Sequence, residues 1–156
     1  MNLIQIASDF RRAIEEARDA GEFDRDQRFI QFPKACCGIT TDLLAKFLID
    51  NEFEGSLKYV GATCRKKGLG LPNHAWLEID DSVIIDITGD QFKNYPPPLE
   101  FNVPIYVGEY IDFFNSFEID VKDNYYVEYI LNDTHSRNYL NRAELYKIIL
   151  NHLNCY

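Results

Sequence analysis

An α+β domain built on an antiparallel sheet is the fold class this sequence predicts, and three observations predict it. Helical periodicity opens the chain, returns around residue 40 and closes it. Runs rich in β-branched and aromatic residues fill the middle, and they follow one another without the regular helix–strand alternation of a parallel sheet. At 156 residues the chain is expected to form one domain, 1–156, long enough to bury a core without staples.

Leu3, Ile6, Phe10, Ile14 and Ala17 recur every three or four residues, the pattern of an amphipathic helix, with Asn2 and Gln5 spaced as a capping box and Gly21 as its stop. The segment 22–30 alternates charges and reads as a surface loop. It leads into "FPKACCGITTDLLAKFLIDNEF", residues 32–53, where two adjacent cysteines begin a second helix that turns Leu43, Leu44, Phe47 and Leu48 inward. "SLKYVGATC", "HAWLEI" and "VIIDIT" have strand composition, and the last two read as a hairpin around Asp80, Asp81 and Ser82. "NYPPPLEFNVPIYVG" is broken by proline and ends in a short strand at 105–107, while "FEIDV" and "YYVEYIL" are further strands. Asn141 and Glu144 cap a final helix that presents Leu145, Ile148, Ile149 and Leu153 to the core.

The totals exclude several function classes. Hydrophobic residues make up 46% and charged ones 26% of the chain, and no apolar run approaches the roughly 20 residues that span a bilayer. The start, "MNLIQIASDFRRAIEEARD", lacks the basic, apolar and small-residue zones of a secretory signal, so a cytoplasmic location is expected. A net charge of −9 repels phosphates and anionic lipid, which sets nucleic acid and membrane aside as partners. The cluster Arg65, Lys66 and Lys67 lacks interleaved aromatic residues and reads as a solvated turn. Cys36, Cys37, Cys64 and Cys155 do not form a disulfide framework, because sequence neighbours bridge only through a strained ring; reduced thiols are expected. A zinc site from Cys36, Cys37, Cys64 and His74 is disfavoured by the adjacent cysteines, whose spacing is unlike that of zinc ligands. No cofactor is called for.

Two readings of the cysteine pair compete: small packing material, or a nucleophile. A helix amino terminus lowers a thiol pKa through its unpaired N–H dipoles, and such a nucleophile needs a base and a group that orients the base. His74 opens a strand and Asp86 lies in the next. Their even separation puts them on one face of the sheet if the hairpin loop is odd, directly opposite for a loop 79–81 or diagonal, about 7–8 Å apart at the backbone, for a loop 80–82. The apolar alternation of Ala75, Leu77, Ile79, Val83, Ile85 and Ile87 favours the odd case and leaves His74, Trp76, Glu78, Asp86 and Thr88 on the other face. An aspartate inside "VIIDIT" is costly to bury alone, and an imidazole is a natural partner. His135 and His152 read as surface or capping residues, and "KKGLGL" as a mobile turn flanking His74.

The blocks "HAWLEID" and "IIDITGDQF", after a helix-heading cysteine, resemble the papain-like and transglutaminase-like group of thiol enzymes, with its histidine in H-A/V-W-x-E and aspartate in D-x-T. They are also similar to small bacterial proteins with a cysteine–glycine element before "HAWLE" and an "IDIT-DQF" block. The resemblance covers about residues 32–92. It implies a papain-like domain, with the cysteine helix packed on an antiparallel sheet and flanked by N- and C-terminal helices. It further implies Cys37 as nucleophile, His74 as base and then acid, and Asp86 as the group orienting the imidazole. Gln31, six residues before Cys37, stands at the spacing of the glutamine that completes the papain-like oxyanion site. Trp76 either lines the substrate cleft or covers the sheet. Gly38 stands where transglutaminases carry tryptophan, which argues against cross-linking, and the arginine–glycine approach of arylamine N-acetyltransferases is missing. The expected activity is thiol hydrolysis or acyl transfer on a peptide, protein or small amide substrate, of peptidase, amidase or deamidase type. The alternative is a non-catalytic binding or inhibitory module on the same scaffold.

Overall fold

The computed structural model describes residues 1–125 and 137–153, and its architecture is α+β. Helix α1, Leu3–Asp19, buries Ile6, Phe10, Ile14 and Ala17 along one stripe. Asn2 caps it by accepting the Gln5 N–H at 3.3 Å. The Gln5 side chain reaches Asp9 instead of the cap backbone, so only half of the expected box forms. Gly21 ends the helix at φ +76, its N–H on the Arg18 carbonyl, a backbone angle that favours glycine.

The segment 22–30 is not the plain surface loop its charges suggest. Phe23, Asp26 and Phe29 are buried. The Asp26 carboxylate accepts the backbone N–H groups of Arg28, Phe29 and Leu140 and the Arg28 guanidinium. Burial pushes its pKa up, but these donors outweigh that and hold it below the ordinary aspartate value. Exposed charges at its neighbours masked one carboxylate that ties the loop before the cysteines to the start of the last helix.

Helix α2, Cys37–Asp50, lies across the sheet with Leu43, Leu44, Phe47 and Leu48 buried. Strands β1 (Leu57–Thr63), β2 (Asn73–Ile79), β3 (Val83–Asp86), β4 (Tyr106–Gly108) and β5 (Glu118–Asn124) form one antiparallel sheet of order β4-β3-β2-β1-β5. β4 sits one residue later than the sequence places it, and β5 takes in most of "FEIDV"; "YYVEYIL" beyond Tyr125 lies outside the described residues. After a short helix α3, Asp112–Asn115, and β5, helix α4, Arg142–His152, begins with the full capping box of Asn141 and Glu144 and packs against α1. His152 sits at its end between Glu22 and Glu16.

The sheet separates two cores. On one face α1, α2 and α4 bury an aliphatic layer with Leu57, Leu77, Ile79, Ile85 and Ile87. On the other, Trp76 and Ile84 are covered by Phe92, Phe101, Phe113, Phe114 and Phe117, with Phe101 stacked on Phe113 at 4.1 Å. Each buried aromatic or aliphatic side chain contributes about 1.5–3 kcal/mol, so the second core, though smaller, adds substantially to the first. Among the described residues no helix is long and apolar enough to cross a membrane.

Candidate active site

The β2–β3 ladder decides whether His74 and Asp86 meet. Leu77 pairs with Ile85 and Ile79 with Val83, so the loop is Asp80, Asp81 and Ser82. Both aspartates adopt left-handed angles, φ +49 and +57, which short polar side chains tolerate. The odd loop puts His74 and Asp86 on one face as diagonal neighbours. His74 Nε2 stands 2.7 Å from Asp86 Oδ2, with both side chains buried.

The D-x-T-G run has a physical reason. Asp86 Oδ1 accepts the Thr88 N–H at 2.8 Å and its hydroxyl at 3.2 Å, which fixes the carboxylate plane and leaves Oδ2 for the imidazole. At Gly89 a Cβ would lie 2.7 Å from the Phe101 ring and 2.9 Å from Asp86 Oδ2, so only glycine fits. The imidazole is packed among the rings of Phe92, Phe113, Phe117 and Trp76, with centroids 5.1–6.0 Å away. Burial works against its charge, but the Asp86 carboxylate, and the Cys37 thiol after it, raise His74 to about 10.

Cys37 is the first residue of α2 and Cys36 its cap, so the unpaired N–H groups of the first helical turn surround the thiol. The groups that act on its sulfur are the His74 imidazole and, after it, the Ala75 backbone N–H. That N–H is available because the β3 ladder reaches no further than Leu77. Burial pushes the Cys37 pKa up; the imidazole and the backbone donor outweigh it and hold it below the ordinary thiol value. The pair therefore leans toward thiolate and imidazolium. Cys36, 2% exposed in the aliphatic core, is pushed up by burial to about 12.

A cavity of about 540 Å³ opens beside the dyad, lined by Cys37, Gly38, Tyr59, Asn73, Gln91 and Val121 among others. Its fixed charges are largely spent on one another. Asp42 accepts Arg142 and the Tyr125 hydroxyl, and Arg28 is held by Asp26. The Tyr59 hydroxyl reaches over Gly38, where a Cβ would come within 3.0 Å of it. Burial and the nearby Cys37 raise this phenol to about 12, so it remains a donor. A second cavity of about 510 Å³, lined by Lys34, Leu71, Pro72, Phe92 and Tyr95, shares Ala35, Asn73 and Gln91 with the first. The "KKGLGL" turn flanks this second arm through Leu71.

Cys37, His74 and Asp86 thus come together, and two other expected site residues do not. Gln31 is exposed and absent from both cavity walls; its amide donates to the Gln27 carbonyl at 3.0 Å, because the turn Phe29–Gln31 directs it back along the chain. Trp76 covers the sheet instead of lining the cleft: it is fully buried behind His74, with its Nε1–H toward the Tyr110 hydroxyl at 3.4 Å. Asp90 and Gln91 carried no derivable role in the sequence, and each has one here. Arg11, buried on α1, grips Asp90 through two hydrogen bonds of 2.8 and 2.9 Å and also donates to the carbonyls of Ile87 and Pro104. Gln91 places its amide nitrogen 3.3 Å from His74 Nδ1. The signal for both was the D-Q pair directly after the D-x-T-G run, but nothing in it says that a helix-1 arginine anchors the turn. Cys36 and Cys64 are buried on opposite faces of the sheet, and among the described residues no three His, Cys, Asp or Glu side chains gather to hold a metal. His135 and Cys155 lie outside the described residues. Neither a protein-family model nor a curated protein nor a solved structure matches this chain.

Proposed function

We propose that this chain is a thiol hydrolase or acyl-transfer enzyme on a papain-like, transglutaminase-like scaffold, acting in the cytoplasm on a peptide, protein or small amide. The reading is carried by one observation: a helix-start thiol, a buried imidazole and an orienting carboxylate form a continuous relay at the wall of an open cavity.

The steps follow from the atoms. The Cys37 thiolate adds to an acyl carbonyl carbon, and the carbonyl π pair moves to oxygen, where the Cys37 backbone N–H at the helix start stabilises it. The His74 imidazolium gives its Nδ1 proton to the leaving amine or alkoxide as the carbon–leaving-group bond breaks, and a thioester remains. Water or an amine, deprotonated by His74, then attacks the thioester and returns the thiol. Asp86 on Nε2 keeps Nδ1 facing the sulfur throughout and stabilises the cation. The cleft supports a carbonyl substrate with groups on both sides, because the cavity that Cys37 lines adjoins a second one at Ala35, Asn73 and Gln91, and its paired charges suit a neutral polar backbone more than a polyanion.

The deciding experiment is alkylation of each cysteine by iodoacetamide across pH, read by peptide mass spectrometry. Fast reaction at Cys37 alone near neutral pH, lost in His74→Ala, is the expected result. A Cys37 no faster than a free thiol turns the assignment toward a binding module.

A further inference from the structure

An oxyanion site needs donors about 3 Å from the charge, and the helix start supplies one. Gln91 has two amide hydrogens. Its nitrogen lies 3.1 Å from the Thr88 carbonyl, which fixes the amide plane, and 3.3 Å from His74 Nδ1. Asp86 holds the other imidazole nitrogen, so Nδ1 is the atom that takes the thiol proton. In the resting thiolate–imidazolium pair Nδ1 is itself a donor, so the second Gln91 N–H finds no acceptor there until negative charge arrives on the substrate oxygen beside the sulfur. Leaving a partly buried N–H unpaired costs about 1–3 kcal/mol, which an oxyanion relieves.

Position supports the same role. Gln91 is one of three residues shared by the two cavities, with Ala35 and Asn73, and the first of these cavities is also lined by Cys37. Its neighbour Asp90 is clamped by Arg11, so the turn that carries the amide is held rigid from α1. Resting on the thiol-enzyme reading above, we propose that the Gln91 side-chain amide is the second donor to the oxyanion, opposite the Cys37 backbone N–H.

Two probes on the full chain separate this role from simple support of the imidazole. Iodoacetamide alkylates the thiolate with loss of iodide and forms no oxyanion, whereas 4-nitrophenyl acetate acylates it through a tetrahedral oxyanion with loss of nitrophenolate. In Gln91→Ala, acylation of Cys37 is expected to fall about 10²-fold while alkylation holds its wild-type rate. Gln91→Met, of similar shape and without a donor, repeats the test if alanine loosens the turn. Equal loss in both reactions, or loss in neither, overturns the proposal. So does a selective acylation defect in Tyr59→Phe that Gln91→Ala lacks, since the Tyr59 hydroxyl lines the first cavity and has no hydrogen-bond partner among the described residues. Slow alkylation of Cys37 in the unsubstituted protein is a different failure, that of the enzyme reading itself.

Discussion

The two ends of strand β2 each bury an ionisable side chain on the same face of the sheet, and they put it to opposite uses. At one end His74 meets Asp86 and, past the end of the β3 ladder, acts on Cys37, which lines an open cavity. At the other, Glu78 is fully buried, accepts Lys122 at 2.8 and 3.0 Å and the Tyr110 hydroxyl, and lines neither the cavity beside Cys37 nor the one adjoining it. Burial alone therefore does not mark a site. What differs is whether a reactive group and a space for substrate lie within reach of the buried charge.

The sharpest way to break this contrast is to exchange the roles. His74→Ala is expected to slow Cys37 alkylation at neutral pH by about 10²-fold and to move its pH midpoint up toward the ordinary thiol value, because the largest group lowering the thiol pKa is gone. Glu78→Gln is expected to leave both unchanged. The sign extends to stability. The folded pKa of His74 is raised from 6.5 to about 10, so the stabilisation from its charged form is complete below pH 6.5 and is lost as pH rises through about 10. Urea unfolding of wild type and His74→Gln across that window measures it, and a gap between them that widens above pH 6.5 would contradict the raised pKa.

The Glu78 end is expected to answer to stability instead. Lys122→Met leaves a buried carboxylate with Tyr110 as its remaining partner. Breaking a fully buried pair costs about 3–5 kcal/mol; the Lys122 side chain is 35% exposed, so water replaces part of the loss and about 2–3 kcal/mol is expected. Cys37 alkylation should not change. A variant that alkylates slowly but melts normally would join the two ends of β2 into one site.

How much of this contrast was legible beforehand depends on the range of the interactions. Period-two alternation and an odd hairpin loop were enough to put His74 and Asp86 on one face, because both are local rules of a strand. The half-formed box at Asn2 and the complete one at Asn141 show the same local rule partly and fully satisfied. Gln31 failed because a spacing carried over from a resemblance says nothing of how a short turn aims its side chain. For Trp76 the sequence leaves two readings open because its cover, Phe114 and Phe117, comes from a four-residue helix and the turn after it, too short for periodicity. Arg11 and Asp90 could not be paired from the sequence at all: their contact spans 79 positions.

That long contact makes a third test. Arg11→Met leaves Asp90 and two carbonyls without their donor and is expected to cost about 2–3 kcal/mol, seen as a lower urea midpoint at constant slope. If the clamp positions the turn, 4-nitrophenyl acetate acylation falls more than iodoacetamide alkylation in the same variant. A stability loss with both reactions intact would restrict Arg11 to holding α1 against the sheet.

The smallest expected effect concerns the pair of cysteines, which repeats the β2 contrast across one peptide bond. Cys36 faces the aliphatic core with its pKa pushed up to about 12, and Cys37 faces the imidazole with its pKa held down. Cys36→Ala removes one buried sulfur from a site where the neighbours cannot fully close, and about 1 kcal/mol is expected from lost burial. Cys37 should keep its alkylation rate and its pH midpoint, since neither the helix dipoles nor the His74 contact passes through the Cys36 side chain. Cys37→Ala removes the reactive thiol at little cost in stability. If Cys36→Ala abolished the fast-reacting thiol instead, the first cysteine, which also borders the cavity, would be the attacking one, and the assignment of attack to one thiol and packing to the other would have to be reversed.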